Sequence, residues 1–96
     1  MLISMKIAQT KTIAATTASA EVVLDVPSEG IVLANDGTDA AFIRIGLGAQ
    51  TALATDFCIL GGQSVVLSKP AEHLNIAAIT AAGTTSIKAM PVDVLN

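Results

Sequence analysis

Residues 30–46 read GIVLANDGTDAAFIRIG, and this stretch decides the fold class. Two apolar runs, Ile31–Ala34 and Ala40–Ile45, flank the polar cluster Asn35-Asp36-Gly37-Thr38-Asp39. Val and Ile suit a pleated, half-buried surface, while Asx residues and Gly supply the backbone freedom that a tight β-connection needs. The stretch is predicted to be a β-hairpin. The same pattern of short apolar run, Gly-containing turn and short apolar run recurs toward residue 90.

Working outward, Ile3, Met5 and Ile7 alternate with Ser4, Lys6 and Ala8, the period of two of a strand with one buried face. Residues 9–19 are rich in Ala and Thr and weakly patterned, and Thr12–Thr16 fits either a strand or a loose connection. Val22, Leu24 and Val26 face one side, with Glu21 and Asp25 on the other, and Pro27-Ser28-Glu29-Gly30 turns the chain. After the first hairpin, residues 46–56 read as a loop. Phe57–Leu60 and Ser64–Ser68 are predicted to form a second hairpin about Gly61-Gly62-Gln63. Leu74–Ile79 is apolar on both faces, as a central or covered strand would be. A last strand, Thr85–Met90, is expected to end at Pro91, which removes a ladder donor, leaving Val92–Asn96 as a tail. About eight short strands imply an all-β chain, a small antiparallel β-sandwich of jelly-roll-like form. The expected division is an N-terminal strand or arm over residues 1–19 and a sandwich domain over residues 20–96.

Ninety-six residues make one domain. The chain is 52% hydrophobic but only 2% aromatic, and its 14% of charged residues falls well below the roughly 25% usual in globular domains. A core filled by Ala, Thr, Val, Ile and Gly is thin, so part of the apolar content is expected to serve contacts with other chains. Lys6, Lys11, Arg44, Lys69 and Lys88 are scattered singly in a chain of net charge −3 that has no Trp or Tyr. Nucleic-acid binding draws on clustered cations and stacking aromatics, so no nucleic-acid partner is expected. Mean hydropathy is +0.68. The longest uncharged stretch, Leu74–Ile87, is nevertheless too short and too rich in Thr, Ser, Asn and Gly for a spanning helix, and no membrane partner is expected. Ala18-Ser19-Ala20 imitates a signal-cleavage site, but the segment before it lacks an apolar stretch, so no signal peptide is expected. The single Cys58 reads as a buried small hydrophobe, and the lack of a second cysteine suits a reducing compartment.

No arrangement of residues carries chemistry. His73 is the one histidine, and Gly62-Gln63-Ser64-Val65-Val66 is not the G-x-S-x-G turn of a serine nucleophile. Asp36 and Asp39 lack the spacing of a helix-flanked calcium loop, and turn chemistry explains them. Gly46-Leu47-Gly48 has neither the third glycine nor the helix of a phosphate cradle. The chain is expected not to be an enzyme and to hold no cofactor or metal. On the second strand of the organising stretch, Phe42 and Arg44 share a face. They read either as a surface charge lying along apolar area or as an interface anchor.

In its order of motifs the chain resembles small virion proteins of tailed bacteriophages. The resemblance lies in Val32-Leu33-Ala34-Asn35-Asp36-Gly37-Thr38, Ala41-Phe42-Ile43-Arg44-Ile45-Gly46, Leu60-Gly61-Gly62, His73-Leu74-Asn75-Ile76-Ala77-Ala78-Ile79-Thr80 and Gly83-Thr84-Thr85, about two-thirds of the chain. It implies a β-sandwich cement or decoration protein on the capsid exterior, assembled in the host bacterial cytoplasm. Its implied partners are the major capsid protein and its own copies, in a homotrimer. Phe42, Arg44, Ile3, Met5 and Ile7 are then the candidate interface residues. Met1–Ser19 has no counterpart in the resemblance and reads as an arm reaching a neighbouring subunit. The alternative is a glycan- or host-surface-binding module of a tail or head fibre, which the lack of Trp and Tyr disfavours.

Overall fold

Gly30–Asn35 and Ala41–Gly46 are both strands, but they lie in different sheets and do not pair with each other. The computed structural model describes residues 2–5 and 9–95. Among these are nine strands: β1 (Leu2–Met5), β2 (Lys11–Ala15), β3 (Ala20–Val23), β4 (Gly30–Asn35), β5 (Ala41–Gly46), β6 (Phe57–Ile59), β7 (Ser64–Ser68), β8 (Asn75–Thr80) and β9 (Thr85–Leu95). All pairings are antiparallel. One sheet runs β1-β9-β4-β7, with β2 also on β9, and the other runs β3-β8-β5-β6.

β1 and β2 share one lane along β9, Met5 lying opposite Val92 and Lys11 opposite Ala89. Counted as one strand, they leave eight lanes, in which the first, eighth, third and sixth form one sheet and the second, seventh, fourth and fifth the other. That order is a jelly roll, the small antiparallel sandwich the alternation pointed to.

The predicted hairpin is therefore an arch between sheets, and Asn35 shows why. Its side chain is 2% exposed and bridges the two layers. Nδ2 donates to the Asp39 carbonyl (2.8 Å) and to the Ile59 carbonyl on β6 (2.9 Å). Oδ1 accepts the Gly37 N–H (3.1 Å) and the Thr85 hydroxyl on β9 (2.5 Å). A turn that must cross about 10 Å of sandwich needs its buried polar atoms paired on the way. The second predicted hairpin is also an arch, from β6 to β7, bound to the first by Gly62 N–H to Asn35 carbonyl and Asn35 N–H to Gln63 carbonyl bonds, both 2.9 Å. Among the described residues, consecutive strands pair only at β5–β6, across the loop of residues 47–56.

Pro91 does not end the last strand. The Asp36 N–H bonds the Ser86 carbonyl at 2.8 Å, which fixes the phase of the β4–β9 ladder. Polar groups alternate sides along a strand, so even-numbered β9 residues address β4 and odd-numbered ones the β1/β2 lane. Pro91 thus withholds no bond from β4, and its missing N–H falls where pairing passes from β2 to β1. Val92–Leu95, expected as a tail, pairs with β1.

The core lies between the sheets: Ile13 and Ala15 on β2, Ile31 and Leu33 on β4, Ile87 and Ala89 on β9, facing Ala41, Ile43, Ile59, Ile76 and Ala78. Large residues sit beside small ones, Leu33 next to Ala89 and Ile43 next to Ala78, so the layers interlock without aromatics. Because Ile13 is 1% and Ala15 0% exposed, residues 11–15 belong to the sandwich. The boundary expected at residues 19/20 does not separate an arm from a core.

Candidate functional site

The exposed large hydrophobic residues among those described are Val23, Leu47, Leu53, Phe57, Leu60 and Val66. Four of them lie between residues 47 and 60, on the β5–β6 loop, on β6 and just past it. No cavity and no group of three potential metal ligands occurs among the described residues. No helix of the described residues is long and apolar enough to cross a membrane. The candidate site is therefore a surface.

The outer face of the β3-β8-β5-β6 sheet is largely spoken for. Its middle row is Glu21, Ala77 and Arg44 on β3, β8 and β5. The loop leaves β5, reaches across to β3 and comes back to β6. The Gln50 N–H bonds the Glu21 carboxylate, and the Ala52 N–H bonds Ser19 Oγ at 2.9 Å. Its return is held by Arg44, whose Nε lies 3.1 and 3.3 Å from the two Asp56 oxygens and whose second nitrogen lies 2.9 Å from Oδ1. Asp56 also accepts the Leu53 N–H at 2.7 Å. The Arg44 hydrogen bonds, then the Leu53 N–H, hold the Asp56 carboxyl below the ordinary carboxylate range, against the opposing effect of burial. Ala77 is 0% and Ala52 1% exposed. Small side chains at both positions let the loop lie close on the sheet, which explains the apolar outer face of Leu74–Ile79 seen in the sequence.

Of the residues proposed as an interface, Phe42 is half-buried on β5 between Ile79 and Cys58, and Arg44, two residues along the same face, is engaged by Asp56. Ile3 and Met5 lie in the other sheet, opposite Val94 and Val92, so they do not join Phe42 and Arg44 in one patch. Ile7 lies outside the described residues. Cys58 is exposed rather than buried, because Phe57 and Ile59 take the inward phase of β6 and leave the cysteine outward on an edge strand. His73 is half-buried, with its N–H on the Pro70 carbonyl at 3.1 Å. Asp36 is exposed, and Asp39 accepts the Thr84 N–H at 3.2 Å within the turn cluster. The sequence assigns no role in a site to Asp56, Glu21 or Ser19, because their partners Arg44, Gln50 and Ala52 lie 12, 29 and 33 residues away.

The outer face of the opposite sheet is open and weakly charged. Val66, Val32 and Met90 stand side by side across β7, β4 and β9. In the next row are Ser64, Ala34, Lys88 and Thr12, where Lys88 Nζ donates to Thr12 Oγ1 at 3.0 Å. At the far end Lys69 Nζ donates to the Ser28 carbonyl at 2.8 Å, and burial lowers the pKa of its ammonium. The chain matches no protein-family model and no curated protein.

Proposed function

We propose that this chain is a structural protein of a virus particle, a cement or decoration protein that binds the outside of a tailed-phage capsid in many copies. The observation that carries the reading is the outer face of the β1/β2-β9-β4-β7 sheet, whose rows Val66–Val32–Met90 and Ser64–Ala34–Lys88–Thr12 contain one charge, Lys88. Such a face suits contact with another protein surface, and a jelly roll is a frame used by shell proteins. A modest contact repeated across a lattice holds firmly, because once a particle is engaged each further contact is effectively intramolecular. The implied partners are the major capsid protein and further copies of the chain, arranged as a homotrimer. Jelly rolls also serve as lectins, and half-exposed Phe57 is a stacking surface for a sugar ring, so a glycan-binding module is the second reading.

Quantitative mass spectrometry of purified virions tests the proposal. A copy number comparable to that of the major capsid protein is expected. A few copies per particle would favour the tail or fibre role, and absence from the particle would overturn the virion reading.

A further inference from the structure

We infer that β7 is a self-association edge, at which two copies of this chain pair antiparallel about a two-fold axis through Val66. The phase of the β4–β7 ladder carries the inference. The Asn35 N–H bonds the Gln63 carbonyl and the Lys69 N–H bonds the Glu29 carbonyl, both at 2.9 Å, so odd-numbered residues of β7 address β4. Ser64, Val66 and Ser68 therefore turn their N–H and C=O groups away from the sheet, where they meet no hydrogen-bond partner among the described residues. The other three outer lanes are blunted, as edges usually are. The β1/β2 lane carries Lys11 and passes from one strand to the other opposite Met90–Pro91, and β3 carries Glu21. β6 has three residues, and the Asp56 and Leu60 N–H groups beside it are bonded to the Leu53 carbonyl and to Gln63 Oε1. β7, Ser64-Val65-Val66-Leu67-Ser68, has neither charge nor proline. Lys69, the cation that follows it, is turned back, with Nζ on the Ser28 carbonyl at 2.8 Å.

What this edge lacks, a second copy supplies. With Val66 opposite the partner's Val66, Ser64 falls opposite the partner's Ser68, so every outward-facing residue meets another in the doubly bonded phase. The side chains match as well. Val65 and Leu67 face the core yet are only half-buried, whereas Ile13 and Ala15, at the opposite edge of the same core, are 1% and 0% exposed. The two-fold sets Val65 beside the partner's Leu67 on that inner face, so each copy covers the other's apolar flank. On the outer face Val66 meets its own copy, and the row Val66–Val32–Met90 continues into the partner's. The strip is uncharged, so identical edges approach without repulsion. A folded copy also brings a strand that is already ordered, whereas a loose peptide would have to be ordered on binding. Five residue pairs cover less than the roughly 800 Å² per partner of a standard interface, so the pairing is weak, in the micromolar-to-millimolar range.

The test uses the full chain. Sedimentation velocity over micromolar to millimolar concentrations should show self-association with a dimer as the smallest associated species. Val66→Pro removes an N–H that β4 does not use, and Val66→Lys sets like charges across the axis. Each should weaken association about tenfold or more with the β circular dichroism unchanged. In the unmodified chain, hydrogen exchange at the Ser64, Val66 and Ser68 amides should slow about tenfold from the lowest to the highest concentration, while the Val65 and Leu67 amides stay protected throughout. A monomer at every concentration, an association that both variants leave intact, or exchange at those three amides that ignores concentration overturns the inference. So does slowing at these amides only when capsid protein is added, which would assign the edge to a strand of that protein. The measurements on the isolated chain do not depend on whether it is found in virions, so the two proposals fail separately.

Discussion

The connection after β4 and the connection after β5 begin alike, each leaving a strand of six residues and passing through a glycine, Gly37 in one and Gly48 in the other. They end in different ways. Residues 36–40 cross from one sheet to the other around a buried asparagine, whereas residues 47–56 return to the same sheet over its outer face, held by a half-exposed ion pair. The first stands where water cannot replace a lost partner, and the second where water can. The fold should therefore be sensitive to the first and tolerant of changes in the second.

The strongest way to break this contrast is Asn35→Ala, which orphans the Ile59 and Asp39 carbonyls, the Gly37 N–H and the Thr85 hydroxyl together. A loss of about 3 kcal/mol or more is expected in chemical denaturation, a large part of the stability of a domain this size. A loss under about 1 kcal/mol would show that water enters the arch. Gly37→Ala comes next. An added Cβ would run into the Thr85 hydroxyl, with the Thr85 backbone 3.1 Å away, so about 1–3 kcal/mol should be lost. Gly48→Ala is the matched change in the other connection: φ is +76° and no atom lies within 4 Å, so only backbone strain remains, about 1 kcal/mol.

The smallest global effect belongs to the ion pair. Arg44→Ala should leave the melting temperature nearly unchanged and speed hydrogen exchange at the Gln50 and Ala52 amides. A matching rise at core amides of β8 or β4 would mean that the loop is part of the cooperative core. The pH dependence has a definite sign. The Asp56 carboxyl is held below its ordinary value of 3.8 in the folded protein, so its contribution is complete above that pH and fades as pH falls through the lower folded value. Wild type and Asp56→Asn should therefore differ in loop exchange at neutral pH and converge in acid.

The contrast also marks what a single sequence discloses. The pattern of short apolar runs between turns at Ile31–Ala34, Ala40–Ile45 and Ser64–Ser68 reveals strands, each of which has one side in the core. It is silent on whether the next strand lies beside or across the sandwich, since both place the same residues inward. Asn35-Asp36-Gly37 serves an arch as well as a hairpin, and the difference rests on Ile59 and Thr85, 24 and 50 residues away. β2 stays open in the sequence, where Thr12–Thr16 fits a strand or a loose connection, for another reason: Ile13 and Ala15 alternate with Thr12 and Ala14, and alanine does not distinguish an inner from an outer face. The Phe42–Arg44 pair was visible, but Asp56 showed no sign of being its partner, so the loop clamp was not.

The lane that β1 and β2 share along β9 has a consequence for how the protein is made. Ile13 lies opposite Ile87, and at a synthesis rate of about 5–20 residues per second it waits roughly 4–15 s for that partner to be translated. During that interval the eventual core face of β2 has no sheet to join, and the larger sheet cannot close until β9 exists. The chain therefore completes its fold late and all at once, as expected where the pairings are so distant in sequence. Any partially made copy would lack the strand on which the larger sheet closes, so in an assembly built from many copies only finished chains would be competent to enter.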